Sequence, residues 1–564
     1  MSALQAATSH ATRWLDRFFA SYYAARPVNA TFIGVHDHDQ RLPDFSESGA
    51  GDVLAEMQSL LRESEAIDLA SLALAERLDV RLARGYLKTQ IWEYGSPHFH
   101  RGNPSTATGE AVFGVMSLFL TDFAPVAERV AAATARMEAL PAFLRHARNN
   151  VREAPFEWTA RAIRECAGGI AFFTDGVGQL AADHRIASPA FAAAARRAAD
   201  AFSAFRAHLE AGLRAHASDH YACGEEAFSL YLREGHFLRE SAEEIARYAE
   251  SELAEAEGLL AAHASDFGAA RPEQALAGLT AIHPSADKYD ARYQELWDAA
   301  RDLAKTHDLL TWPDFPIRYL PRPPWARAAA PHLYFLYYRS PAAFQRPAVH
   351  QYLVAPIEPG MPVEEHEHLL AAHNDSVIKL NHVVHHGGIG HHVQNFHAFR
   401  AASRIGRIAA VDCASRIALF CGGTMAEGWA CYATDLMSEA GFLTPLEQYA
   451  EHHGRARMCA RAVVDVRLHQ GRMSLEQAED YYREHAGMTS QAARAETVKN
   501  SMFPGVAVMY LMGRDAIHRL RREIAALDGS AFSLRAFHDE LLSYGSVPVT
   551  LIGEAMQAKR QHAE

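Results

Sequence analysis

AFAAAARRAADAFSAFRAHLEAGLRAH, Ala190 to His216, is built from Ala, Leu, Glu and Arg with no run of β-branched residues. These side chains lose little freedom on a helical backbone, so the stretch predicts helix. The same composition extends from about Thr12 to His263, and the N-terminal half is expected to be all-helical. One loop, Gly34 to Ser46 (GVHDHDQRLPDFS), has two histidines and three aspartates. Its Gly and Pro favour a solvated turn over a metal site.

Between Ser265 and Pro284 the helical rhythm loosens. Thr311 to Pro347 (TWPDFPIRYLPRPPWARAAAPHLYFLYYRSPAAFQRP) is rich in proline and aromatic residues, which suits a few short strands that either wall a cleft or simply connect two regions. In EEHEHLLAAHN, Glu364 to Asn374, the acidic residues mark a helix start, and no ligand role is assigned to its histidines. Helices return from Ser376. The expected fold is mainly α, a large multi-helix protein with a few short strands in the middle. Residues 1–270 form an N-terminal helical region and 271–564 a region with the candidate site, packed as one unit.

The chain has 564 residues, 49% of them hydrophobic and 22% charged, with a net charge of -13. That composition is globular, and the charge opposes non-specific binding to nucleic acid or anionic lipid. No apolar run approaches a membrane span. The N-terminus, MSALQAATSHATRWLDRFF, lacks the basic and apolar regions of a signal peptide, so a cytoplasmic location is expected. The six cysteines show neither C-x-x-C pairs nor the density of a disulfide framework.

NHVVHHGGIGHHVQ, Asn381 to Gln394, holds five of the thirty-two histidines beside three glycines. Imidazole at that density points to metal chemistry. On an α-helix His382 and His386 share a face one turn apart and form one candidate ligand pair. His385 and His391 could meet at one ion only where Gly387, Gly388 and Gly390 turn the backbone. The bland alternative is a set of buried histidines that only hydrogen-bond carbonyls. A further ligand is offered by Glu427 in MAEGWACYATDLMSEAGFL, whose apolar surroundings demand a partner, either a metal or an arginine such as Arg416.

HHGGIGHHVQ (His385 to Gln394) and EGWACY (Glu427 to Tyr432) resemble the signature H-E-x-x-P-G-H-H-x-Q … E-G-W-A-x-Y of the bacterial domain-of-unknown-function family 885, which contains zinc metallopeptidase-like proteins. Arg461 to Tyr482, Phe503 to Ile517 and Phe537 to Met556 are similar to its later blocks, and RPVNATFIGVHDHDQRLPDFS to its opening. The resemblance implies that His385, His391 and Glu427 bind zinc in a largely helical fold. The chain departs from the pattern at His386, where the family has Glu, and at Ile389, where it has Pro. It departs again at Val506 and Leu511, which replace Gln and Lys. The missing Glu is the general base of such hydrolases, a role worth ~10²–10⁴-fold in rate.

Other residues suggest chemistry. Tyr510 and Arg514, four apart, would point together into a cleft or form an amphipathic rim. His469, four after Asp465, suits proton transfer, a supporting contact or a plain surface pair. Cys431, one turn from Glu427, has no basic neighbour in sequence and is read as packing. His386, Tyr510, His469 and Arg514 are therefore the candidate catalytic residues.

These features lead to a metal-dependent enzyme acting on an amide-like or other small carbonyl substrate, including a short peptide, with zinc as cofactor. The runner-up is a non-hydrolytic metal enzyme (lyase, elimination or iron-dependent oxidation) using iron or another divalent transition metal. The third reading is a catalytically silent relative that binds a ligand.

Overall fold

A computed structural model describes residues 9–213, 218–327, 342–409 and 422–561. The described chain is mainly α-helical, as expected. Helix starts follow the sequence directly. Just before the Ala-rich stretch, Ser188 caps the backbone of Phe191 and Pro189 occupies the first turn of helix Pro189–His208. Ser241 with Glu244, and Thr444 with Glu447, form reciprocal capping boxes on helices Ala242–His263 and Pro445–His469. Those two long helices pack against each other.

The expected strands are two, β1 (Ile317–Pro321) and β2 (His350–Val354), paired in parallel with Ile317 opposite His350. The intervening residues 328–341 lie outside the described residues, as do Cys413, Cys421 and Arg416. The small sheet does more than connect. Tyr319 of β1 donates its hydroxyl to the His382 carbonyl at 3.2 Å, and the Tyr352 hydroxyl of β2 lies 2.7 Å from His382 Nδ1.

The largest buried cluster joins both halves of the chain, from Trp14 and Phe18 through Trp297 to Trp429, Leu436, Ile517 and Ile552. Helix Gly423–Glu439 approaches helix Val508–Asp528 at a pair of glycines. A Cβ on Gly428 would lie 2.5 Å from the Gly513 backbone, and one on Gly513 would lie 2.1 Å from the Thr424 carbonyl oxygen. Only glycine permits this spacing, which sets the depth of Glu427 in the core.

Two buried histidines give the fold a pH dependence. His538 has Nδ1 2.6 Å from the Leu309 carbonyl and Nε2 2.8 Å from the Tyr432 hydroxyl. His469 has Nε2 2.9 Å from the Asn500 carbonyl and accepts weakly from the Cys223 amide at 3.4 Å. Burial lowers each to about 4. A second proton would sit on a nitrogen already facing a donor. Because the unfolded imidazole titrates near 6.5, only the unfolded state takes up protons as pH falls from 6.5 towards 4. Stability is therefore complete above that range and lost within it, at ~1.4 kcal/mol per histidine per pH unit. Between pH 7.5 and 5.5 the pair is expected to lower stability by on the order of 2 kcal/mol. Asp465, raised to about 7 by burial, takes up a proton over the same interval and opposes the histidines, so their contribution is read as the difference between the pH dependences of the thermal midpoint in wild type and in His538→Asn, and equal dependences would refute it.

Candidate metal centre

Residues Val377–Gly387 form a π-helix, not an α-helix. An i→i+5 turn still leaves residues four apart on one side, so the helix type alone does not separate His382 from His386. His382 is buried against the Tyr352 hydroxyl, and its ring centroid lies 6.5 Å from that of His386. His386 belongs to the group of histidines that could hold an ion, and His382 stands outside it. Burial and His373 lower His382 to about 3, so it is a neutral hydrogen-bonding residue.

The glycines turn the chain by close approach. A Cβ on Gly390 would lie 2.0 Å from the His385 carbonyl oxygen, and one on Gly387 2.2 Å from the Tyr319 hydroxyl. The turn is pinned by two indoles: Trp297 Nε1 donates to the Gly387 carbonyl at 2.7 Å and Trp429 Nε1 to the Ile389 carbonyl at 2.9 Å. Helix His391–Ala398 then begins at once, so His391 folds back towards the π-helix.

This turn brings His385, His386 and His391 together, each with a candidate ligand atom within 4.8 Å of the others. It is the only such group among the described residues. The early loop forms none: His36 stacks on Phe123 at 3.9 Å and pairs with Asp39 at 2.8 Å.

Glu427 enters from the neighbouring helix. Its Oε2 lies 3.4 Å from both His385 Nε2 and His391 Nε2, yet this buried oxygen accepts no hydrogen bond. An orphaned carboxylate oxygen beside imidazole nitrogens is an uncommon cost in a folded core, and a cation offsets it. Burial pushes the Glu427 carboxyl up, but His391 and His385 outweigh it and hold the group well below the usual carboxylate range. His385 is lowered by burial, with Glu427 opposing. An ionised Glu427 beside a neutral His385 is the protonation state that metal binding requires.

His386 lies in the same cluster. Its Nδ1 is 2.7 Å from the Asn381 carbonyl, which can only accept, so the proton sits on Nδ1 and the electron pair on Nε2. Burial and then the neighbouring His385, His391 and His382 hold it well below its ordinary value.

The other candidates are placed elsewhere. Arg514 is held by Asp435 in a two-pronged pair at 2.6 and 2.7 Å, so its guanidinium is engaged rather than presented to a cleft. Tyr510 is half-buried beneath the Arg461 guanidinium, 4.3 Å from its ring centroid. His469 is 0% exposed, and Asp465 stands 3.7 Å away while accepting from the amides of Gly505, Ala507 and Val508. That pair orders the turn before helix Val508–Asp528, and the surface and proton-transfer readings both give way to a structural one. Leu511 is fully buried with Phe228, Cys459 and Val463, and Val506 packs against the Trp158 cluster. Both side chains belong to apolar packing. Burial, with Glu427 adding to it, pushes the Cys431 thiol up, consistent with packing.

The chain is similar along its length to two solved structures. One is a candidate lipoprotein of unknown function from Shewanella oneidensis, with TM-score 0.75, 21% identity, and coverage of 97% of this chain and 100% of that one. The other is a candidate lipoprotein from Colwellia psychrerythraea, with TM-score 0.80, 16% identity, and coverage of 99% and 100%. Such identities show the fold alone. No curated protein matches the chain. Residues 27–556 match the family model described as bacterial protein of unknown function, DUF885. The protein belongs to that family of bacterial proteins of unknown function.

Proposed function

We propose that the protein is a metal-dependent enzyme acting on a small amide-like or carbonyl substrate. The reading is carried by one observation: the buried Glu427 Oε2, without a hydrogen bond, lies 3.4 Å from each of two histidine nitrogens in a cluster with a third. His385, His391 and Glu427 would hold the ion. Two imidazoles and a carboxylate suit zinc with an open position, and iron is the alternative. The ion would polarise the substrate carbonyl.

The chain's own contribution is orientation and exclusion of water. Trp297 and Trp429 fix the turn, Tyr319 and Tyr352 brace the π-helix, and burial holds His385 and His386 below their ordinary values. His386 presents an imidazole electron pair where a peptidase presents a carboxylate. That favours a second reading, in which the reaction is an elimination or oxidation and His386 ligates the ion or moves a proton in place of the usual Glu.

Protein purified without added metal is expected to hold about one transition-metal ion per chain. Removal by a chelator should lower the thermal midpoint, since an ion bound only by the folded state stabilises it. Elemental analysis showing no metal, together with no uptake of zinc or iron, would overturn the reading.

A further inference from the structure

Helix His10–Ala25, the loop that follows helix Pro27–Ile33, and the segments around Phe344 and Arg404 border a cleft of about 470 Å³, a size that suits a small molecule. Phe19, Tyr23 and Phe344 give it aromatic walls, and Arg404, Arg407 and Asp37 supply its charge. Neither Glu427 nor any histidine of the candidate metal centre lines it.

The Phe344 wall is built onto the start of the early His-Asp loop. Gly34 ends helix Pro27–Ile33 in a left-handed conformation, with φ 93°, and a Cβ there would lie 3.1 Å from Gln345 Cγ. This close approach lets the Phe344 amide donate to the Ile33 carbonyl at 3.0 Å and brings Gln345 Nε2 within 2.9 Å of His36 Nε2. Phe344 is thereby held at the cleft, yet it stays 42% exposed.

The two arginines are fixed differently. Arg404 has its amide 2.8 Å from the buried Asp79 carboxylate, its guanidinium 4.3 Å from the Phe19 ring centroid, and Nη1 2.7 Å from Asp16, which balances its charge. Arg407 is anchored by Nε, which donates to the Ala401 carbonyl at 2.7 Å, and among the described residues its two outer nitrogens have no hydrogen-bond or ion-pair partner. A guanidinium held at Nε offers those outer N–H groups as a flat fork, which a carboxylate matches with two parallel bonds. Exposed Asp37 on the same cleft repels a second negative charge, so a monoanion is favoured over a phosphate.

We propose that this cleft is a ligand site separate from the metal centre, for a small carboxylate with an aromatic body. Arg407 takes the carboxylate, and Phe19, Tyr23 and Phe344 cover the ring.

The test uses the full chain with chelator present, so that no ion competes for the carboxylate, and follows the binding of 3-phenylpropionate, 3-phenylpropionamide and phenyl phosphate by calorimetry. The carboxylate is expected to bind at least about tenfold more tightly than the amide, as a charge-assisted pair allows, and more tightly than the phosphate. Arg407→Gln should bring carboxylate and amide to within about threefold of each other, and Arg407→Lys should restore part of the preference. Phe344→Ala, at an exposed position, should weaken both by the same factor, on the order of threefold to tenfold. No binding of the carboxylate, equal binding of the amide, or an undiminished preference in Arg407→Gln would overturn the site. Tighter binding of phenyl phosphate would overturn the assignment to a carboxylate. None of these outcomes depends on the histidine cluster.

Discussion

Glu427→Ala is expected to reduce bound metal from about one ion per chain to less than about a tenth, with His385→Ala and His391→Ala falling similarly. The expectation rests on the geometry of a single oxygen. Glu427 is 7% exposed, and its Oε2 sits between two imidazole nitrogens without a hydrogen bond. A bound ion would offset the cost of that buried charge, so the substitution affects loaded and metal-free protein differently. In metal-free protein the substitution should cost some stability, because His391 and His385 hold the carboxylate in its ionised form. With metal present, the loss should be larger. Elemental analysis and thermal midpoints with and without chelator separate loss of the ion from loss of the fold. Full retention of metal by all three variants would show that these residues are not the ligands.

The helical architecture was legible because caps and composition agree locally. Ser188-Pro189 and Thr444-Pro445 start helices where the sequence places them. β1 was legible in the proline-rich aromatic segment Thr311 to Pro347, whereas β2 lies just beyond it, and their bracing of His382 was not legible because it depends on pairing between residues thirty or more positions apart. The candidate site was partly legible. Three glycines after an apolar run predict a turn, and the turn does bring His385 to His391. Helical periodicity did not show that His382 faces the Tyr352 hydroxyl from β2 while His386 joins the other two histidines. His469 and Arg514 failed for a shared reason. Spacing four residues apart shows which side chains share a helix face, but not which partner crosses from another helix. Asn500 takes His469, and Asp435 takes Arg514.

His386→Glu separates peptidase chemistry from altered chemistry, and the expected result is loss of the native reaction or altered metal content without a gain of peptide hydrolysis. A carboxylate at this position would supply the base that peptidases use to take a proton from the attacking water, so sequence alone could suggest a restored enzyme. The geometry argues against so simple a restoration. His386 Nδ1 donates to the Asn381 carbonyl at 2.7 Å, and an ionised Glu has no proton to donate. It would face that carbonyl with negative charge, turn away, or take up a proton. His386 also contributes to the only three-histidine cluster among the described residues, so its removal changes the ligand field as well as the base. Val506 and Leu511 add nothing to this expectation, since both pack in apolar clusters. The comparison to make is wild type, His386→Glu and His386→Gln, each analysed for metal and assayed on short peptides. New hydrolysis in His386→Glu with metal unchanged would restore the peptidase reading. Turnover of ordinary dipeptides by the wild type, at rates of ~1–10³ per second, would show that this family member needs no carboxylate there.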